Sequence, residues 1–220
     1  ILTGSGFVFG LGMVLCTIAL RYVGIGIAFV LNLSFGAISG GVLPIFIMAP
    51  ERVWSVFGLV DFSALLLFLL GVVFAAKAAI LRQNHQGTHS GDYACNSKFG
   101  IVLGVLSGLL TSMQGVAYSY ALPSVQQLSV KMNISALGIA NIPWLGIFTA
   151  AFIPFFLYQA YMLQRKKQWQ QMIQNFKFHY LFLLVIMGSF YYLSLVLYSQ
   201  ACILLGDFGS VLAWPMLMIF

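Results

Sequence analysis

Between Leu2 and Met48 the chain carries a single charged side chain, Arg21. A soluble domain cannot cover so long an apolar run, because about a quarter of the residues in such domains are charged. Here 6% are charged and 61% hydrophobic, and the mean hydropathy is +1.00. The chain reads as a polytopic, all-α membrane protein. A bilayer span needs about 20 mostly apolar residues. Such runs fall at residues 2 to 20, 23 to 48, 54 to 80, 99 to 122, 136 to 163 and 179 to 203, and a partial one at 207 to 220. Six full spans and part of a seventh are therefore expected. The chain begins at Ile1 inside one apolar run and ends at Phe220 inside another, so we expect a fragment of a longer protein, with any targeting segment outside it.

The ten Lys and Arg residues divide unevenly among the connections. Arg21, Lys77, Arg82, Lys98, Arg165, Lys166, Lys167 and Lys177 fall at the first, third and fifth, and Arg52 and Lys131 at the second and fourth. The positive-inside rule then makes the longer basic loops cytoplasmic, with the first span running inward, in a multi-pass protein of a cell inner membrane. Topology accounts for the net charge of +6, and no nucleic-acid partner is called for. Cys16, Cys95 and Cys202 are too scattered for a disulfide framework. His85, His89 and Cys95 have partial zinc-like spacing, but they sit among Gly and Ser and fall short of four ligands. No metal or cofactor is expected.

Two segments share a layout. GFVFGLGMVLCTIALRYVGIGIAFVL and GSFYYLSLVLYSQACILLGDFGSVLA each open on Gly, carry early aromatics, and place an Ala five residues before a Gly: Ala19 and Gly24, Ala201 and Gly206. An odd number of crossings separates them, so the copies face opposite ways. Inverted repeats of this kind are typical of secondary transporters, whose site lies near the midplane at the repeat interface, although apolar helices ending in small residues also look alike. On this division residues 1–82 close a first repeat with three spans, 83–98 form a cytoplasmic loop, and 99–220 hold three spans and part of a fourth. Gly100, Gly104 and Gly108, and likewise Gly36 and Gly40, form small-residue stripes suited to close helix packing.

The residues GFVFGLG, ALRYVGIGIAF, KFGIVLGVLSGLLTS with its following Pro123, and GSFYYLSLVLYSQA resemble the L-rhamnose/proton symporter family of the drug/metabolite transporter superfamily. The likeness extends over nearly the whole chain. It implies ten helices in two inverted halves of five, of which this chain would supply the third through the early ninth. It also implies uptake of a deoxy-hexose with a proton by alternating access.

Helical spacing puts Gly188, Tyr191, Ser194, Tyr198 and Cys202 on one face, and Gly104, Ser107, Thr111, Gln114 and Tyr118 on another. The candidate substrate-binding residues are thus Tyr191, Ser194, Tyr198, Gln114, Tyr118 and Thr111, with Asn141 and Trp144 added from the fifth span and Asn32 as a further candidate. A tyrosine ring can cover the apolar face of a sugar while its hydroxyl donates and accepts. The same groups would equally serve as interhelical hydrogen bonds, and Asn141 before Pro143 would serve as helix-entry chemistry.

Every Lys and Arg sits at or near a span end, so a neutral substrate is favoured over a phosphorylated one. Asp61, inside the third span, is the candidate for the coupling proton, or alternatively an interfacial carboxylate. Asp207 reads as a helix cap. The leading function is proton-coupled import of a neutral, rhamnose-like sugar. The alternatives are export of amino acids or other small metabolites, and, from another class, a membrane-embedded enzyme or sensor. The spans contain no paired acids, metal ligands or nucleophile with a base, so the chain reads as a non-enzyme whose partners are a small neutral solute, a proton and the bilayer.

Overall fold

The computed structural model describes residues 1–48, 50–85, 97–206 and 209–219. Among them every regular element is helical: α1 (Leu2–Met48), a 3-10 turn (Pro50–Arg52), α2 (Val56–His85), α3 (Ser97–Thr111), α4 (Met113–Met132), α5 (Ala136–Ala140), α6 (Ile142–Arg165), α7 (Trp169–Gln174), α8 (Phe178–Leu204) and α9 (Gly209–Ile219). Among the described residues four stretches are long and apolar enough to cross a membrane: Leu2–Ile47, Lys98–Met132, Gly138–Arg165 and Phe178–Leu204. Helices satisfy their own backbone groups, which hydrocarbon requires.

α1 is broken at Gly24, whose φ of 79° and ψ of 168° only glycine adopts without strain. The break reverses the chain. A Cβ on Gly12 would lie 2.9 Å from the Thr111 side chain, and one on Gly36 would lie 3.6 Å from the same residue. The two halves of α1 therefore run side by side, in opposite directions, against α3. The Gly stripe makes this possible. Cβ atoms on Gly100, Gly104 and Gly108 would meet Tyr22, Leu31 and the Asn32 carbonyl at 2.5, 3.0 and 2.6 Å, so the helix axes approach as closely as small residues permit. Ala19, Val23, Ile27, Ala28, Leu31 and Leu103 fill the remaining space. Inside it, Asn32 Nδ2 donates to Ser107 Oγ at 2.9 Å and Thr111 Oγ1 at 3.4 Å.

The first half of α1 also lies parallel to α6. Cβ atoms on Gly6 and Gly10 would strike the Ile147 and Ala151 carbonyls, and Arg21 reaches the Met162 sulfur at 4.0 Å. At the Arg21 end, Tyr22 meets the Phe99 ring edge-on at 5.3 Å. Arg21, Lys98 and the Arg165 to Lys167 cluster thus share one end of the bundle. Lys131 lies toward the opposite end, where Ile1 and Leu2 share a groove with Leu128.

Two span boundaries differ from the sequence expectation. Pro123 does not end its helix; α4 carries it internally and continues to Met132, where Asn133 in the left-handed region caps it. Residues 97 to 132 therefore form two nearly continuous helices that meet at Ser112, whose own backbone stays helical, rather than one span stopping at residue 122. The stretch 136 to 163 is split at Asn141 into α5 and α6. Phe178 to Leu193 is exposed on all sides apart from Ile186, so α8 packs through its C-terminal half alone.

Candidate functional site

α4, α6, α8 and α9 converge on a second core built from aromatic rings. Tyr118 stacks on Trp144 with centroids 4.6 Å apart and planes at 13°. Tyr198 meets Tyr118 at 5.3 Å, Trp144 at 5.9 Å and Trp214 at 5.6 Å. Offset and edge-on contacts of this kind are favoured by the ring quadrupoles. Each buried indole finds an acceptor: Trp144 Nε1 donates to Ser199 Oγ at 3.0 Å and Trp214 Nε1 to the Gly36 carbonyl at 3.0 Å. Trp214 fits because Gly40 and Gly115 leave room for its ring. At the end of α8, Gly206 takes a φ of 67° and turns the chain into α9, which lies so close that a Cβ on Gly209 would strike the Cys202 backbone.

Beside this cluster lies a cavity of about 750 Å³. Its polar lining comes from Gln114 on α4 and Tyr191, Ser194 and Tyr198 on α8. The rest of the described lining is apolar, including Leu33 and Met216, and among the described residues no charged side chain lines it. Three of its polar groups are partly committed. Tyr198 donates its hydroxyl to the Ser210 carbonyl at 3.4 Å, Ser194 Oγ donates to the Tyr191 carbonyl at 2.6 Å, and the Tyr191 hydroxyl lies beside the Gln114 amide. Gln114 is buried, yet its Oε1 has no hydrogen-bond partner.

No family model matches this chain. Nor does any curated protein or solved structure prove detectably similar to it. The functional reading therefore stands on this geometry and on the sequence.

The remaining candidates are placed elsewhere. Tyr118 and Trp144 form the ring stack behind the cavity rather than its wall; the Tyr118 hydroxyl faces Ser199 but makes no hydrogen bond. Thr111 and Ser107 turn toward α1, where Thr111 donates to the Gly108 carbonyl and both receive Asn32. The single face expected from Gly104 to Tyr118 is thus divided between two neighbours: Ser107 and Thr111 lie on the tight interface with α1, and Gln114 and Tyr118 on the cavity side. Asn141 sits at the entry to α6, and its side chain does not cap that helix. Asp61 falls on α2, which packs on the end of α1 through Phe62 against Ile45 and Val53; none of the described α2 side chains lines the cavity. The Asp61 side chain, and Asp207, His89 and Cys95, lie outside the described residues. Among the described residues no group of three His, Cys, Asp or Glu is placed to hold a metal ion.

Trp214, Ser199, Leu33 and Met216 were not singled out from the sequence. The Gly36 and Gly40 stripe marked a close contact without its partner: Gly40 makes room for the Trp214 ring, whereas Gly36 faces α3 at Gly108 and Thr111. Nothing in the sequence pointed to which ring.

Proposed function

We propose that this chain belongs to a secondary transporter that moves a small, neutral, hydroxyl-bearing solute through the cavity between α4, α8 and α9. A rhamnose-like deoxy-hexose, imported with a proton by alternating access, is the specific candidate. The observation that carries the reading is a cavity of sugar-accommodating size, about 750 Å³, whose four polar side chains are uncharged and lie among helices long enough to span a bilayer. Binding sites generally combine an apolar lining with a few placed polar groups. A phosphorylated or carboxylate substrate would need a cation, and none lines the cavity among the described residues.

Two further features support an inverted, two-halved architecture of ten helices. Gly24 and Gly206, paired by the sequence layout, are the two positive-φ glycines among the described residues. They turn the chain at opposite ends of the bundle, as a repeat axis in the membrane plane requires. The clustering of Arg21, Lys98 and Arg165 at one end agrees with a cytoplasmic assignment of that end. Asp61 remains the candidate proton carrier, acting away from the cavity wall.

The test uses the full-length protein in sealed vesicles. Labelled L-rhamnose accumulates under an inward proton gradient, accumulation falls to equilibration when the gradient is collapsed, and Asp61→Asn abolishes the gradient dependence. Absence of accumulation overturns the sugar. Gradient-independent accumulation overturns proton coupling.

A further inference from the structure

An amide buried without a partner forfeits its hydration and receives nothing in return. Gln114 is 3% exposed, its Oε1 has no partner, and it opens on the cavity. A leucine or methionine would fill the same volume without this cost, so the unsatisfied group calls for a counterpart that arrives from the cavity. An acyl chain has no hydrogen-bonding group to offer. An ion would meet no opposite charge among the described residues of this wall.

We propose that Gln114 is the hydroxyl-recognition point of the cavity, with its amide completed by an O–H group of a neutral ligand. A hydroxyl both donates and accepts, so it satisfies the free end of the amide in either orientation, whereas a carbonyl, which only accepts, or an ammonium, which only donates, suits one orientation alone. The Tyr191 hydroxyl beside the amide holds its position. One helix segment along the wall, Ser194 Oγ has given its proton to the Tyr191 carbonyl and keeps its lone pairs for a second ligand hydroxyl. The Tyr198 ring, its own hydroxyl turned away to Ser210, offers an apolar surface between them. The ligand class is therefore a small polyhydroxylated, uncharged molecule with one face of C–H groups. This deepens the transport reading and rests on it for the cavity's use, while the claim itself concerns binding at one side chain.

The experiment measures binding to the purified full-length protein by calorimetry, alongside thermal midpoints. The probes are L-rhamnose, D-glucose, D-mannitol and a fully O-methylated glucose. Wild type is compared with Gln114→Leu and with Gln114→Met, whose unbranched chain keeps the original shape. We expect at least one polyhydroxylated probe to bind wild type, and to bind both variants roughly tenfold more weakly. The O-methylated probe should not distinguish the three proteins. Without ligand both variants should melt at or above the wild-type midpoint, since the orphaned group is gone. Equal affinity across the three proteins, no binding of any polyhydroxylated probe to wild type, or ligand-free variants that melt below wild type each overturn the assignment. Selective loss of binding with no vesicle transport would retain it and remove the transport reading. Transport with unchanged affinity in both variants would do the reverse.

Discussion

Where α3 meets the two halves of α1, backbones touch; where α4, α8 and α9 meet, rings hold the helices apart. The first interface has glycines every fourth residue, an Asn side chain sealed between two hydroxyls, and no room for an added Cβ at Gly108. The second has stacked aromatics, a 750 Å³ cavity and buried polar atoms without partners. In a bilayer, hydrocarbon tails remove the hydrophobic drive for helices to associate, so close packing and interhelical hydrogen bonds must supply it. The first region satisfies both demands and forms a fixed unit. The second leaves both partly unmet, which suits the ligand site proposed for it. Substitutions should therefore damage folding in the first region and ligand handling in the second.

The largest expected effect separates the two halves of that statement. Gly108→Leu drives a side chain into the Asn32 carbonyl and the Phe35 Cβ, 2.6 and 2.8 Å from where its own Cβ would stand. Overpacking of this kind costs about 3 kcal/mol, and the purified protein should show a midpoint lowered by many degrees or fail to fold. Gly188→Leu on α8, where a Cβ meets nothing within 4 Å, should stay within about 0.5 kcal/mol of wild type. Equal damage by the two would erase the contrast.

Next in size is the bolt between the two regions. Trp214→Phe keeps a ring between Gly40 and Gly115 but removes the donor to the Gly36 carbonyl. A loss of about 1 kcal/mol is expected, read as a lower midpoint in denaturant titration. If transport also slows, the indole couples the fixed unit to the moving one. Asn32→Val should cost less, about 0.6 kcal/mol, the average for a hydrogen bond between membrane helices. Ser107 and Thr111 retain their bonds to the Gly104 and Gly108 carbonyls, so no hydroxyl is stranded. A cost several times larger would mean that Asn32 holds more than these two groups.

How much of this was legible in the sequence differs between the regions for the same physical reason. The all-helical class, with helices long and apolar enough to cross a membrane, followed from runs nearly free of charge, and the Gly stripe on α3 announced a close interface, because small residues at i, i+4 have one structural use that depends little on the partner. The turns at Gly24 and Gly206 were readable for a similar reason. The cavity was harder. Helical spacing grouped Tyr191, Ser194 and Tyr198 on one face of α8, but spacing does not say which neighbour each part of a face meets, and the α3–α4 face is shared between α1 and the cavity. Pro123 misled because a proline inside a membrane helix is tolerated where neighbours satisfy the freed carbonyl. Which ring stacks on which, and which hydroxyl turns away from the cavity, depends on contacts between segments far apart in sequence.

The smallest expected effect tests that last distinction. Spacing alone makes the Tyr198 hydroxyl a substrate contact, whereas its hydrogen bond runs at 3.4 Å to the Ser210 carbonyl on α9. A bond that long contributes little, so Tyr198→Phe should change stability by less than about 0.5 kcal/mol. It should leave solute uptake by the full-length protein within about twofold of wild type, because the ring that lines the cavity is unchanged. Tyr198→Ala, which deletes the ring and opens the stack of Tyr118, Trp144 and Trp214, should lose uptake outright. A large uptake defect in Tyr198→Phe at wild-type stability would place its hydroxyl in the ligand's path. It would also mean that the α8–α9 turn shifts during the transport cycle, releasing that hydroxyl from Ser210.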